Sequence, residues 1–206
     1  MQKLGDYVVN SRKWVHLFFS TLFLGGISTI LVGFILRWNQ YARLFQSFDG
    51  KELLSVAFWL LGVGFIFSVI SQMGFFAYLT VHRFGIGVFR SVSLWNTMQV
   101  FLVAFVLFDF VYLRSTFIEE GNASTTHNIL IAAVIFLAGA IVAYIKSKET
   151  NKQAFIPALF FMIVVTIIEW IPALRVNDRD WLYLMAVPLF ICNAYQLLTL
   201  HRLIRK

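Results

Sequence analysis

Residues 53–81 read LLSVAFWLLGVGFIFSVISQMGFFAYLTV, twenty-nine positions without one charged side chain. A helix needs about 20 mostly apolar residues to cross a hydrocarbon core about 30 Å thick, so this stretch is long enough to span with tilt, or to bend near Gly62, Gly64 or Gly74. Five further runs of the same kind lie on either side of it, at about 14–36, 93–113, 128–145, 154–171 and 181–200. The expected fold is all-α: one six-helix integral membrane bundle filling the 206-residue chain, with no soluble domain.

Composition agrees. Sixty per cent of the residues are hydrophobic and 13% charged, too apolar for a soluble domain of this size. The net charge of +7 would point to nucleic acid in a soluble protein. Here the basic residues cluster at the ends of the apolar runs, where anionic lipid headgroups are the expected partners and nucleic acid is not. Cys192 is the one cysteine, so no internal disulfide can form. The first run follows Lys3, Arg12 and Lys13 but continues to Leu36 without a small-residue cleavage site, which reads as a retained span rather than a signal peptide.

Lys and Arg counts set the expected orientation. With the N-terminus cytoplasmic, eleven basic residues fall inside and six outside, which predicts a multi-pass protein with both termini in the cytoplasm. Trp14 and Trp95 then sit at the inner interface, and Trp38, Trp170 and Trp181 at the outer one, as an aromatic belt. Gly25, Thr29 and Gly33 share a face of the first span, and Gly139 and Ala143 repeat that spacing in the fourth; such stripes let backbones approach closely within a bundle.

Polar residues at membrane depth are the candidate site residues, because each is costly there unless paired or hydrated. Asp109 and Glu169, near the expected outer ends of their spans, with Arg37, Arg114 and Arg175, form a candidate outer cluster. It reads either as salt-bridged helix ends or as a ligand or proton site. Ser68, Ser71 and Gln72, Asn96 and Gln99, and Asn193 and Gln196 form a candidate inner cluster, bridging helices or lining a pocket for a solute or lipid headgroup. His16, His82 and His201 fall at the inner side without metal-ligand spacing, so neither metal nor cofactor is expected. No nucleophile elbow and no phosphate-cradling glycine loop is present, and no enzyme activity is expected.

Two stretches carry a resemblance: residues 11–34, SRKWVHLFFSTLFLGGISTILVGF, and residues 65–96, FIFSVISQMGFFAYLTVHRFGIGVFRSVSLWN. They resemble the KinB-signalling pathway activation family, KbaA, from about Ser11 to the C-terminus, leaving residues 1–10 as a variable extension. The resemblance implies a bacterial inner-membrane protein needed for the sensor kinase KinB to feed the sporulation phosphorelay, an activator that is not itself a kinase. On that reading the cytoplasmic segment from His82 to Trp95, with Arg83, Phe84 and Arg90, is the candidate contact loop for the kinase or for anionic lipid. The alternatives are a substrate-binding membrane subunit of a vitamin or metal importer, which would use the outer cluster, and a lipid-processing enzyme using Asp109 or Glu169 as acid or base. Oligomeric state and the signal sensed are left open.

Overall fold

The computed structural model describes residues 11–47, 50–117, 125–174 and 178–204; residues 1–10 and Arg175 lie outside them. Among the described residues the structure is helical throughout, without a strand: α1 (Ser11–Leu36), α2 (Trp38–Ser47), α3 (Gly50–Phe89), α4 (Val92–Phe117), α5 (Thr125–Glu149), α6 (Phe155–Phe160), α7 (Thr166–Leu174) and α8 (Arg179–Ile204). A 3₁₀ turn (Lys152–Ala154) leads into α6, and a π-helical turn (Phe161–Val165) joins α6 to α7, making one continuous segment. Among these described residues, six helical segments are long and apolar enough to cross a membrane.

Close backbone approach decides how α1 packs. A Cβ on Gly25 would stand 2.7 Å from Ser68 Cβ and 3.1 Å from the Gly64 carbonyl; one on Gly64 would stand 2.7 Å from the Gly25 carbonyl. Any side chain there would separate the helices and forfeit the dispersion contacts that hold apolar bundles together. The buried stripe of Gly25, Thr29 and Gly33 thus lets α1 lie against α3 and, through Cys192, against α8. In α5, Gly139 faces Ile163 and Met162 of the π turn.

The segment from Lys152 to Leu174 is the centre of the molecule. Of its most apolar window, 61% is buried, against 22–33% for the four helices before it. Residues 158–164 are buried without interruption, touched by α4 and α5 on one side and by α3 on the other. A π turn widens the helix and leaves its hydrogen-bonding register locally shifted; here it rotates the residues that follow, Thr166 and Glu169, relative to a regular continuation.

The structure bears on three sequence expectations. First, α3 is one helix of 40 residues, in which Gly64 packs against α1 and Gly74 against Glu169 while Gly62 faces open space. Second, the segment from His82 to Trp95 is a loop only around Arg90 and Ser91. Its polar residues mark the end of an apolar run, but the helix continues through Gly85 and Gly87 to Phe89, and Arg90, with a φ of 50°, turns the chain into α4. Third, the aromatic belt is partial. Trp38 is exposed, but Trp95 and Trp170 are buried, their indole N–H groups donating to His82 Nδ1 at 3.0 Å and to the Leu182 carbonyl at 2.9 Å. A tryptophan that finds an acceptor inside the protein has no need of the interface.

Candidate functional site

The polar residues of α3, α7 and α8 meet in the middle of the bundle. Asn193 Nδ2 donates to Glu169 Oε2 at 2.7 Å and to Thr166 Oγ1 at 2.9 Å, while Ser71 Oγ donates to Asn193 Oδ1 at 2.6 Å. Gln196 Nε2 then donates to Ser71 Oγ at 2.7 Å and to the Cys192 carbonyl at 3.3 Å. All five side chains are buried. The result is an unbroken chain of hydrogen bonds from a carboxyl group to a main-chain carbonyl, tying three helices together. Alongside it, Gln72 Nε2 donates to Ser68 Oγ at 3.2 Å and to the Phe18 carbonyl at 3.4 Å, which brings in α1.

Glu169 is the unusual member. It is 7% exposed, and its Oε1 has no hydrogen-bond partner among the described residues. That oxygen lies against the Cα of Gly74, so closely that a Cβ there would overlap the carboxyl group. Sequence reasoning put Glu169 near an outer helix end among arginines. The structure puts it with Asn193, on a helix that follows directly on the π turn and runs three residues past the expected boundary to Leu174.

The remaining outer-cluster residues are dispersed. Arg37 faces Asp178 and Asp180 at 3.9 and 3.6 Å, two carboxylates not singled out from the sequence. Arg114 Nε donates to Asn128 Oδ1 at 2.7 Å, clasping α4 to α5, and Asp109 stands half-buried on α4 apart from both pairs. From the inner cluster, Asn96 and Gln99 sit separately on α4. Asn96 Oδ1 and both amide atoms of Gln99 are buried without a partner among the described residues.

At the α3–α4 end, His82 and Trp95 form a support rather than a surface. Trp95 is 5% exposed, bonded to His82 and packed over Gly85, where a Cβ would come within 2.5 Å of the indole. Phe89 and Phe160 flank the same ring. Outside this support, Arg83 and Arg90 are exposed, as are Phe84 at 69% and Val88 at 74%. The same end holds a contact set that sequence reasoning missed: Lys146 Nζ donates to the Leu197 carbonyl at 2.6 Å, and Glu149 faces His201 at 3.6 Å and Arg202 at 3.8 Å. Only the i, i+3 placement of Lys146 and Glu149 at the end of an apolar run could have signalled it. His16, His82 and His201 join no metal-holding group among the described residues.

Such an architecture is that of a polytopic helical bundle in which a chain of buried hydrogen bonds ties α3, α7 and α8 together, with an aromatic and basic surface at one end. The chain belongs to the KbaA family, described as KinB-signalling pathway activation in sporulation, whose sequence model matches residues 25–203. It is 50% identical over 198 residues to the KinB-signaling pathway activation protein of Bacillus subtilis (strain 168), an alignment covering 96% of this chain and all of that protein. No solved structure matches.

Proposed function

We propose that this chain is a membrane-embedded activator of KinB signalling in sporulation, with both termini cytoplasmic, acting on the sensor kinase through the exposed surface at the α3–α4 end. The observation that carries the reading is family membership across nearly the whole chain, with half the residues identical to a relative bearing that name. Six apolar helices support membrane insertion, and the excess of Lys and Arg at the α3–α4 and α5–α6 ends supports their facing the cytoplasm.

The length of α3 supports the choice of surface. Forty residues at about 1.5 Å each extend about 60 Å, twice the hydrocarbon thickness of about 30 Å. A helix of that length overhangs the lipid tails, and the charges of Arg83 and Arg90 support an overhang at its C-terminal end. Phe84 and Val88 are apolar where lipid tails do not require it, and Arg83 and Arg90 stand beside them. Aromatic and aliphatic anchors rimmed by arginine suit a protein contact at the membrane face. Activation then follows if this surface binds one signalling state of the kinase better than another, since a partner shifts an equilibrium only by its difference in affinity for the two states.

Site-specific photocrosslinking in sporulating cells tests the reading, with probes at positions 83, 84, 88 and 90 and controls at 126 and 127 at the opposite end. Crosslinks to KinB confined to the first set are expected. A correctly inserted protein that activates the kinase yet never crosslinks from those positions would exclude direct contact through this surface.

A further inference from the structure

Glu169 is an acid without a counter-charge in the middle of the bundle. Its carboxyl group meets Asn193, near the midpoint of α8 (Arg179–Ile204), and lies against Gly74, well inside α3 (Gly50–Phe89). A carboxylate at such a place is costly unless a cation or several donors meet it. One amide N–H reaches Oε2, and nothing among the described residues reaches Oε1.

The elements packed against α7 are α3, α4, α8 and the π turn, whose five residues are all apolar. On α3 the contact is at Gly74, on α8 at Asn193, and on α4 at Phe110, which stacks on Trp170. Within two turns of these contacts the ionisable side chains are Tyr78 on α3, Asp109, Tyr112 and Arg114 on α4, and Cys192 and Tyr195 on α8. Five of the six are acids, which add only negative charge when they ionise. The sixth, Arg114, is engaged by Asn128 and clasps α5 instead. None of the described salt bridges includes Glu169.

A metal ion does not suit the place. Hard cations take about six oxygen ligands, whereas Oε1 is the single unpartnered oxygen in the network of Glu169, Thr166, Asn193, Ser71 and Gln196, and no metal-holding group of side chains surrounds it among the described residues. A proton needs one lone pair, and it removes the charge.

We propose that Glu169 is a proton-binding site: the carboxyl group carries a proton on Oε1 while α3, α7 and α8 are packed, and gives it to water when the contact with Gly74 opens. Oε2 accepts from Asn193 in both forms, so the chain of bonds through Ser71 and Gln196 survives the exchange. The change falls on Oε1, which is wedged against the α3 backbone. Hydrating its charge displaces it from Gly74, so proton binding and the packing of α7 on α3 favour each other. Gly74 belongs to the helix that carries Phe84 and Val88 at its far end, which links the proton to the position of that surface. The inference rests on the membrane-embedded reading and not on contact with the kinase.

The test is infrared difference spectroscopy of the full chain in nanodiscs along a pH titration, because a protonated carboxyl group has a carbonyl stretch separate from the amide and carboxylate bands. At neutral pH one such band is expected. Isotope-labelled glutamate should shift it, Glu169→Gln should abolish it, and Asp109→Asn should leave it in place. Raising the pH should remove it reversibly while a carboxylate band grows. Gly74→Ala, whose Cβ would take the place of the carboxyl group, should move that loss to lower pH. Absence of a protonated-glutamate band at neutral pH overturns the site, and the isotope label decides this even where Glu169→Gln does not fold. A band that persists until the bundle unfolds makes the carboxyl group a fixed structural donor and overturns proton exchange. An unchanged titration in a folded Gly74→Ala variant overturns the link to α3. Carbonate extraction of cell membranes is run alongside: release of the protein sinks the membrane-embedded reading itself, whereas a retained protein without the band sinks the proton site alone.

Discussion

Replacing Asn193 with leucine, nearly the same size, should be among the most damaging single changes in the core. The asparagine holds three hydrogen bonds at once, to Glu169, Thr166 and Ser71 at 2.7, 2.9 and 2.6 Å. Interhelical hydrogen bonds in membrane proteins are worth about 0.6 kcal/mol on average and at most about 1.7, so the bonds alone account for about 2 kcal/mol. The larger effect is what remains behind: Glu169, with Oε1 already unpartnered, would have both carboxyl oxygens bare in a buried site. An orphaned polar group adds about 1–3 kcal/mol, and Asn193→Leu should therefore cost about 3–5 kcal/mol in total. Removing the carboxyl group as well should recover part of it, because a pair replaced by apolar groups escapes the orphan penalty. Glu169→Leu in the Asn193→Leu background should thus restore about 1–2 kcal/mol, while Glu169→Leu alone costs about 1 kcal/mol. Ser71 keeps Gln196 as a donor and can turn its own hydroxyl to a helix carbonyl, so it adds little to the balance. The measurement is a double-mutant cycle by steric trapping or reversible unfolding in mixed micelles. Additivity of the two substitutions within about 0.5 kcal/mol would refute the view that Asn193 exists to satisfy Glu169.

Gly64→Ala should destabilise the bundle by about 1–3 kcal/mol, since its Cβ would meet the α1 backbone at 2.7 Å, whereas Gly62→Ala, with open space around it, should be neutral or stabilise by about 0.5–1 kcal/mol; thermal denaturation in detergent compares them. Cys192 is buried beside the Thr21 carbonyl and should resist maleimide in intact membranes, reacting only after SDS; ready labelling of folded protein would contradict the packing of α8 on α1. Arg83→Ala should weaken kinase activation in a sporulation reporter more than Asp109→Asn, at equal membrane abundance, because Arg83 stands on the exposed end of α3 and Asp109 makes none of the ion pairs described above; the reverse order would move the working surface to the other end. Arg37→Ala should cost less than about 1 kcal/mol, as its two carboxylate partners are about half exposed, and the loss should shrink further in high salt.

What the sequence by itself determined is everything that depends on a single uninterrupted run. Each of the six long helices is written in its own stretch of apolar residues, and the small-residue face of Gly25, Thr29 and Gly33 is visible as a spacing within one of them. The pairs Ser68 with Gln72 and Asn193 with Gln196 were likewise legible as shared helix faces, being three or four residues apart. Which of those faces meet was decided only by the tertiary structure. Asn193 finds Ser71 across 122 residues and Glu169 across 24, and Trp95 finds His82 around the turn at Arg90. The physical reason is that these helices are apolar nearly all the way round. In a soluble protein the polar face shows which side turns outward, but here that signal is nearly absent, and rotation and neighbour choice are set by where backbones can approach and where isolated polar groups find partners. A π turn that re-aims Thr166 and Glu169, and a tryptophan drawn inward by a histidine, leave no mark in hydropathy at all.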